Sequence, residues 1–137
     1  MLGAPWADSK VLAQELAGAE LPGVRFVEAT FTPQPTPGMD MNPKLRGERL
    51  EGIEVHVTNR QTFKSVETGV HILHAFYNAA PDKAGFLSRP EWLSRLSGTD
   101  RLLQMLSGGA TPETIVATWQ PEVSAFREAR AKYLLYD

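Results

Sequence analysis

Residues 52–58 read Gly52-Ile53-Glu54-Val55-His56-Val57-Thr58, in which apolar and polar side chains alternate. Since successive side chains of a strand point to opposite faces of a sheet, the alternation predicts a strand with one core face and one polar face. A second strand is predicted over residues 23–32, where Val, Phe and Thr are frequent. Its alternation slips near Glu28, as it does at a β-bulge.

Helix signals flank the two strands. Asp8 is placed to cap a first helix that runs through Ala19, and Ser65 is placed to cap a second that continues to about Ala80. Pro81 ends this second helix, since proline lacks the N–H that would continue it. The later helix markers are Pro90, residues 99–107, the start Thr111-Pro112-Glu113, and Pro121, which should kink or restart the last helix.

Together these elements predict a single α+β domain, in which a small sheet of two clear strands packs with about five helices. A chain of 137 residues is long enough to form one domain with its own core. Between the strands, residues 33–49 contain four prolines and therefore form a long irregular loop. Loops of this length in compact domains often carry function, so we expect a site close to it.

Composition excludes several kinds of partner. A formal net charge of −2 is unsuited to a phosphate-binding surface, so we expect no nucleic-acid partner. The absence of cysteine excludes disulfides and thiolate metal ligands. No apolar run approaches the roughly 20 residues of a membrane span, and the opening Leu2-Gly3-Ala4-Pro5-Trp6 lacks the charged and apolar regions of a signal peptide. We expect no membrane partner, and the localisation stays unknown.

A polar strip on the second predicted helix is the first candidate site. Glu67, His71, His74 and Asn78 follow at spacings of four, three and four residues, which places them along one side of a helix. Two imidazoles and a carboxylate could bind a divalent metal or move a proton. The alternative is a polar helix edge, in which Glu67 pairs with His71. Since no metal-ligand motif accompanies the strip, we predict the polar edge, no metal and no cofactor.

The end of the alternating strand is the second candidate. His56 is followed by Thr58, Asn59 and Arg60, so different hydrogen-bonding groups lie at one sheet edge. The guanidinium of Arg60 could bind a carboxylate through two parallel hydrogen bonds. The alternative is a turn in which Asn59 bonds the backbone while Arg60 is solvated. These residues alone leave both interpretations open.

No catalytic residue is assigned from the residues. The carboxylates lie among other charges, and none occupies the apolar setting that a general acid of glycoside hydrolysis requires. Tryptophans could stack on sugars, but Trp92 and Trp119 occupy helical positions and are predicted to lie in the core. Trp6 is the residue for which burial is hardest to predict.

Several ordered motifs resemble one family. They are Gly3-Ala4-Pro5-Trp6, Pro22-Gly23-Val24-Arg25-Phe26, Phe31-Thr32-Pro33, Asn42-Pro43-Lys44-Leu45-Arg46-Gly47, the strand from Gly52, Glu67-Thr68-Gly69 and Tyr133-Leu134-Leu135-Tyr136. In order and spacing the chain resembles the C-terminal domain of the NamZ/YbbC-type exo-β-N-acetylmuramidases of bacterial cell-wall turnover. The family commonly has Asp at the position of Asn59 and often Cys at that of Leu50.

The resemblance implies a partner and a substrate. Family members have a Rossmann-like N-terminal domain that carries the proposed catalytic glutamate, and many work outside the cytoplasm. A terminal β-linked N-acetylmuramic acid would lie between the domains, with His56, Asn59, Arg60 and Glu67 as candidate substrate-binding residues on this side. We therefore expect this chain to be inactive alone and to self-associate through its apolar opening. The alternative is a protein-interaction module that keeps the fold without hydrolase function.

Overall fold

The structure, a computed structural model, describes residues 1–134. The predicted α+β class is confirmed, because these residues form a three-stranded sheet and seven helices. The strands are β1 (Leu2–Ala4), β2 (Val24–Phe31) and β3 (Leu50–Val57). The helices are α1 (Ser9–Gly18), α2 (Ser65–Ala79), α3 (Lys83–Phe86), α4 (Pro90–Ser97), α5 (Arg101–Ser107), α6 (Pro112–Ala117) and α7 (Gln120–Ala131). Residues 135–136 of the terminal motif lie outside the described range.

The chain divides into two compact units. The first, residues 1–88, contains the whole sheet and α1 to α3, and the second begins at Arg89 and contains α4 to α7. The expectation of two clear strands and about five helices missed β1 and α3. These elements have three and four residues, too few for a periodic pattern to show.

The sheet is antiparallel, with the strand order β1-β3-β2. Val24 lies opposite Val57, Phe31 lies opposite Leu50, and the ladder between these pairs is unbroken. The suggested bulge at Glu28 is therefore absent. Glu28 lies opposite Ile53, on the face that carries the core, yet it is exposed. The interrupted alternation at Glu28 therefore reflects a polar residue on the core face, while the strand register continues unchanged.

A pair of glycines allows β1 to approach β3 closely. Gly3 lies opposite Gly52, and a Cβ on Gly52 would collide with the backbone of Leu2 and Gly3. A Cβ on Gly3 would lie 2.9 Å from the ring of Phe31, which covers the pair from the neighbouring strand. Close backbone approach thus explains these glycines inside strands.

The core of the first unit lies between one face of the sheet and the helices α1 and α2. Leu12 and Leu16 of α1 and Ile53 of β3 are fully buried, and α2 adds Ala75 and Phe76. The predicted start of α1 is confirmed, because Asp8 Oδ1 accepts a hydrogen bond from the N–H of Val11 at 3.0 Å. Because side chains alternate along β3 and Ile53 faces the core, Glu54 and His56 lie on the opposite face of the sheet.

Helix α2 departs in two ways from its prediction. Ser65 is its first residue and does not cap it; Lys64 occupies the cap position without a side-chain hydrogen bond. The predicted apolar stripe of Val66, Val70, Leu73, Tyr77 and Ala80 is buried at Val70, Tyr77 and Ala80, whereas Val66 is exposed. Ala75 and Phe76 pack on the sheet core from another side, so α2 is buried over more than one stripe.

Lys83 completes the carboxyl end of α2. Its Nζ donates to the carbonyl oxygens of Tyr77 and Asn78 at 2.9 and 3.1 Å, and it lies 4.8 Å from the centre of the Tyr77 ring. A cation here offsets the negative end of the helix dipole and donates to carbonyls of the last helical turn. Asp82 then caps α3 by accepting from the N–H of Gly85 at 2.9 Å.

The second unit has its own small core, formed by Leu102, Leu106 and Ile115. Pro121 restarts the chain as α7 after α6 has ended, one of the two predicted outcomes. The prediction that Trp92 lies in the core is wrong, since 57% of it is exposed. α4 has eight residues and no buried one, so its apolar spacing does not indicate a core face. None of the helices within residues 1–134 has the length and apolarity needed to cross a bilayer.

Candidate functional site

The strand β3 ends in a turn that Asn59 organises. Its Oδ1 accepts a hydrogen bond from the N–H of Gln61 at 2.9 Å, and its carbonyl accepts from the N–H of Phe63 at 3.1 Å. The N–H groups of Thr58 and Asn59 donate to the carbonyl of Gly23 at 2.9 and 3.3 Å. Asn59 thus bonds the backbone, as one of the two interpretations of this segment requires.

Gly23 lets the turn lie against the start of β2. Its φ is +72°, a left-handed conformation that glycine adopts without the cost of a Cβ. An added Cβ would collide with the carbonyl oxygen of Asn59 and lie 2.7 Å from the amide nitrogen of Phe63. The sequence predicted Gly23 as the start of a strand and did not reveal this contact. A glycine between Pro22 and the first strand residue Val24 was the available signal.

Arg60 stands at the exposed tip of this turn. Its side chain is exposed, and it forms no hydrogen bond or ion pair with any residue between 1 and 134. The turn therefore presents a guanidinium whose five donors face solvent. Such a group can form two parallel hydrogen bonds to an incoming carboxylate.

His56 is the second-to-last residue of β3, and its side chain lies on the sheet face opposite the core. Its Nε2 is 3.3 Å from a carboxylate oxygen of Glu54, and its Nδ1 is 3.5 Å from Nη2 of Arg25. The side chain keeps 35% of its surface exposed. Arg25 was missed by sequence analysis, because its place opposite His56 follows from the β2–β3 register. The outer face therefore carries alternating charges around an accessible imidazole.

Glu67 lies in a different setting. It occupies the first turn of α2, where a carboxylate interacts favourably with the helix dipole. One of its oxygens is 3.1 Å from Nζ of Lys64. Among the described residues, no hydrogen bond or ion pair links Glu67 to His56, Asn59 or Arg60. The four predicted contacts thus lie in three places: the outer sheet face, the turn and the start of α2.

The polar strip of α2 does not assemble a metal site among the described residues. No group of three or more His, Asp or Glu side chains between residues 1 and 134 is close enough to hold an ion. His71 is buried, whereas His74 is half-buried and lies 3.2 Å from the amide nitrogen of Asn78. The strip contains two histidines in different environments, on one helix.

The long loop between β2 and β3 is closed at its base. The N–H of Gly47 donates to the carbonyl of Pro33 at 3.1 Å, and Thr36 pairs with Asp40 inside the loop. Its two methionines, Met39 and Met41, are exposed. The predicted irregular loop is thus confirmed apart from one isolated bridge.

A second surface feature lies beside β1. A groove of about 490 Å³ runs between β1 and α2, and it is lined by Leu2 and Gly3, four residues of α2 and Phe86 of α3. None of the lining side chains carries a hydrogen-bonding group. The groove is therefore apolar, in contrast to the turn after β3.

Fold and surface together define an α+β domain with a polar strand-end turn and a separate apolar groove. A family profile described as the C-terminal part of the exo-β-N-acetylmuramidase NamZ matches residues 1–136. The chain belongs to this family, which is the C-terminal domain of NamZ-type proteins.

One curated relative is similar in sequence, and one solved structure is similar in fold. The peptidoglycan β-N-acetylmuramidase NamZ of Bacillus subtilis (strain 168) is 29% identical over 136 residues, which are 99% of this chain and 31% of that protein. A crystal structure of a DUF1343 family protein from Bacteroides fragilis superposes with a TM-score of 0.81 at 24% identity, over 98% of this chain and 34% of that chain. The chain thus spans about a third of the length of each.

Proposed function

We propose that this chain works as the C-terminal domain of an exo-β-N-acetylmuramidase and has no hydrolase activity by itself. In this proposal residues 1–137 act as one domain, and a Rossmann-like N-terminal domain supplies the catalytic glutamate. Two findings support this proposal. The profile of the family's C-terminal part matches nearly the whole chain, and about two thirds of the Bacillus subtilis relative lies outside its match to this chain. Glycoside hydrolysis needs two placed carboxyl groups, and the sequence shows no carboxylate in the apolar setting that its general acid requires.

The domain would form one wall of the cleft that holds a terminal N-acetylmuramic acid. This sugar carries a lactyl carboxylate, and Arg60 is our first choice to bind it. The supporting observation is that the guanidinium is exposed and has no partner among residues 1–134, while the backbone beneath it is fixed by the Asn59 turn. A positioned but unpaired cation binds an anion without first breaking another ion pair.

The other three candidates would have lesser roles. His56 would contact the sugar through the exposed part of its ring, since its Nε2 lies beside Glu54 and its Nδ1 beside Arg25. Asn59 would act through the backbone, since its Oδ1 is occupied by the N–H of Gln61. An aspartate accepts the same hydrogen bond, so the exchange of the usual Asp for Asn59 keeps the turn and removes a charge. Glu67, paired with Lys64, is the candidate with the weakest structural support.

The test is a chimaera in which this chain replaces the C-terminal third of the Bacillus subtilis relative. Release of chromophore from a chromogenic β-N-acetylmuramide is measured for the chimaera and for the isolated chain, which should show no turnover. Arg60→Ala should lower kcat/KM of the chimaera by about tenfold to a hundredfold, the loss of one charge-assisted contact.

A matched control is Arg127→Ala, since Arg127 is also an exposed arginine but lies on α7. It should leave kcat/KM unchanged. Equal turnover by the Arg60→Ala and unmodified chimaeras would contradict the carboxylate contact. Mutation-sensitive turnover by the isolated chain would contradict its proposed lack of activity.

A further inference from the structure

The groove beside β1 is a preformed apolar surface. Leu2 of β1 is 44% exposed at one rim, and Ile72 and Leu73 of α2 remain only half-buried along the floor. At the described edge of the sheet, β1 pairs with β3 on one side and has no strand on the other. The groove thus combines uncovered apolar side chains with a free strand edge, two features that favour association with another segment.

Aromatic packing fixes the shape of the groove. Phe76 and Phe86 line it, and the ring of Trp6 lies 6.3 Å from each of them in edge-to-face orientation. Tyr77 contacts Phe86 at 5.8 Å from the other side. Edge-to-face pairs of this kind add to the stability of the packing, so little rearrangement is required when an apolar group enters.

Chemistry separates this groove from the proposed sugar site. A muramic acid has hydroxyls, an amide and a carboxylate, whereas the lining offers leucine, isoleucine, phenylalanine and glycine side chains. Placing the sugar there would leave its polar groups without hydrogen bonds, which is unfavourable. The fitting occupant is an apolar protein segment.

We propose that the groove receives an apolar segment of the N-terminal part of the longer enzyme and so docks the two parts together. This inference rests on the proposed function. In the Bacillus subtilis relative about two thirds of the chain lies outside a match to the family's C-terminal part. That preceding chain joins the domain at β1, whose Leu2 and Gly3 form the groove rim. An entering segment therefore reaches the groove over a short span, at a high effective concentration.

Gly69 offers a way to close the groove without unfolding the domain. It lies inside α2 and lines the groove, and a Cβ added there would meet no atom within 4 Å. Substitution of glycine in a helix interior favours the helix, so a larger residue should not destabilise α2. Gly69→Leu would fill the space that the incoming segment needs.

The test compares hydrogen–deuterium exchange in the isolated chain with that in the chimaera described above. Docking should slow exchange of the β1 amides at least about tenfold in the chimaera. Gly69→Leu should return β1 to the rate of the isolated chain, while the Tm of the isolated variant is not lowered. Leu2→Asn is the second variant, which puts a polar group on the rim instead of filling the floor.

Gly18→Leu is the matched control. Gly18 is also an exposed helical glycine with no atom within 4 Å of a built Cβ, but it lies on α1 and does not line the groove. It should leave the slowed exchange of β1 intact.

Equal exchange of β1 in the chimaera and in the isolated chain would overturn the docking proposal. So would unchanged protection in the Gly69→Leu and Leu2→Asn chimaeras. If the chimaera itself forms a dimer by light scattering that Gly69→Leu converts to monomer, a second copy is the occupant, which also overturns it. Hydrogen exchange does not depend on turnover, so the two proposals can fail separately. If β1 exchange is slowed while Arg60→Ala leaves turnover unchanged, the docking proposal stands and only the carboxylate contact is rejected.

Discussion

The turn after β3 and the groove beside β1 are both exposed parts of the first unit, but they differ in what they still lack. In the turn, the backbone groups are hydrogen-bonded within the domain: the N–H groups of Thr58 and Asn59 donate to the carbonyl of Gly23. In the groove, Leu2 and Leu73 keep apolar surface in contact with water. A polar surface can form all its hydrogen bonds within one domain or with water. An apolar groove of this size is stabilised when another segment covers it.

The largest effect expected from this contrast is at Gly23. Gly23→Ala puts a Cβ against the Asn59 carbonyl at a positive φ, so the free energy of unfolding should fall by about 2 to 4 kcal/mol. Urea denaturation followed by tryptophan fluorescence measures the loss. A change below about 0.5 kcal/mol would show that the turn is not held against the start of β2.

A smaller loss is expected at Asn59. Asn59→Ala removes the acceptor for the N–H of Gln61 and should cost about 1 kcal/mol of unfolding free energy, whereas Asn59→Asp should stay within about 0.5 kcal/mol. The two variants are compared by the same denaturation. If aspartate were as destabilising as alanine, the shared turn geometry would be contradicted.

The smallest effect has the opposite sign and concerns the groove. Gly69→Ala should raise the free energy of unfolding of the isolated chain by about 0.5 to 1 kcal/mol, because it favours the helix and meets no neighbour. Thermal unfolding by circular dichroism measures it. A lower Tm would mean that α2 needs the glycine for its own folding, and would weaken Gly69→Leu as a probe of docking.

Sequence patterns were informative where the physical cause is local. The alternation in residues 52–58 predicted β3, and the Asp8 cap predicted α1, because both depend on neighbours within a few residues. The prediction for Trp92 was wrong for the opposite reason. Trp92 belongs to a helix with apolar residues at helical spacing. Whether such a residue is buried depends on which other elements pack against that helix.

The same division holds at the candidate site. The sequence raised the Asn59 turn as one of two interpretations, since an Asn side chain readily bonds the backbone two residues further on. It did not reveal Arg25 beside His56, which are 31 residues apart and meet through strand register. Nor did it reveal the groove, whose lining comes from β1, α2 and α3.

The sequence by itself determined the α+β class, the family, the main strand and the helix starts at Asp8 and Thr111, because these follow from residue order over short distances. Tertiary structure alone decided the place of β1, the contact of Gly23 with the turn, and the surfaces left uncovered. These depend on which distant segments pack together, and residues far apart in the chain become neighbours only when the core between the sheet and its helices forms.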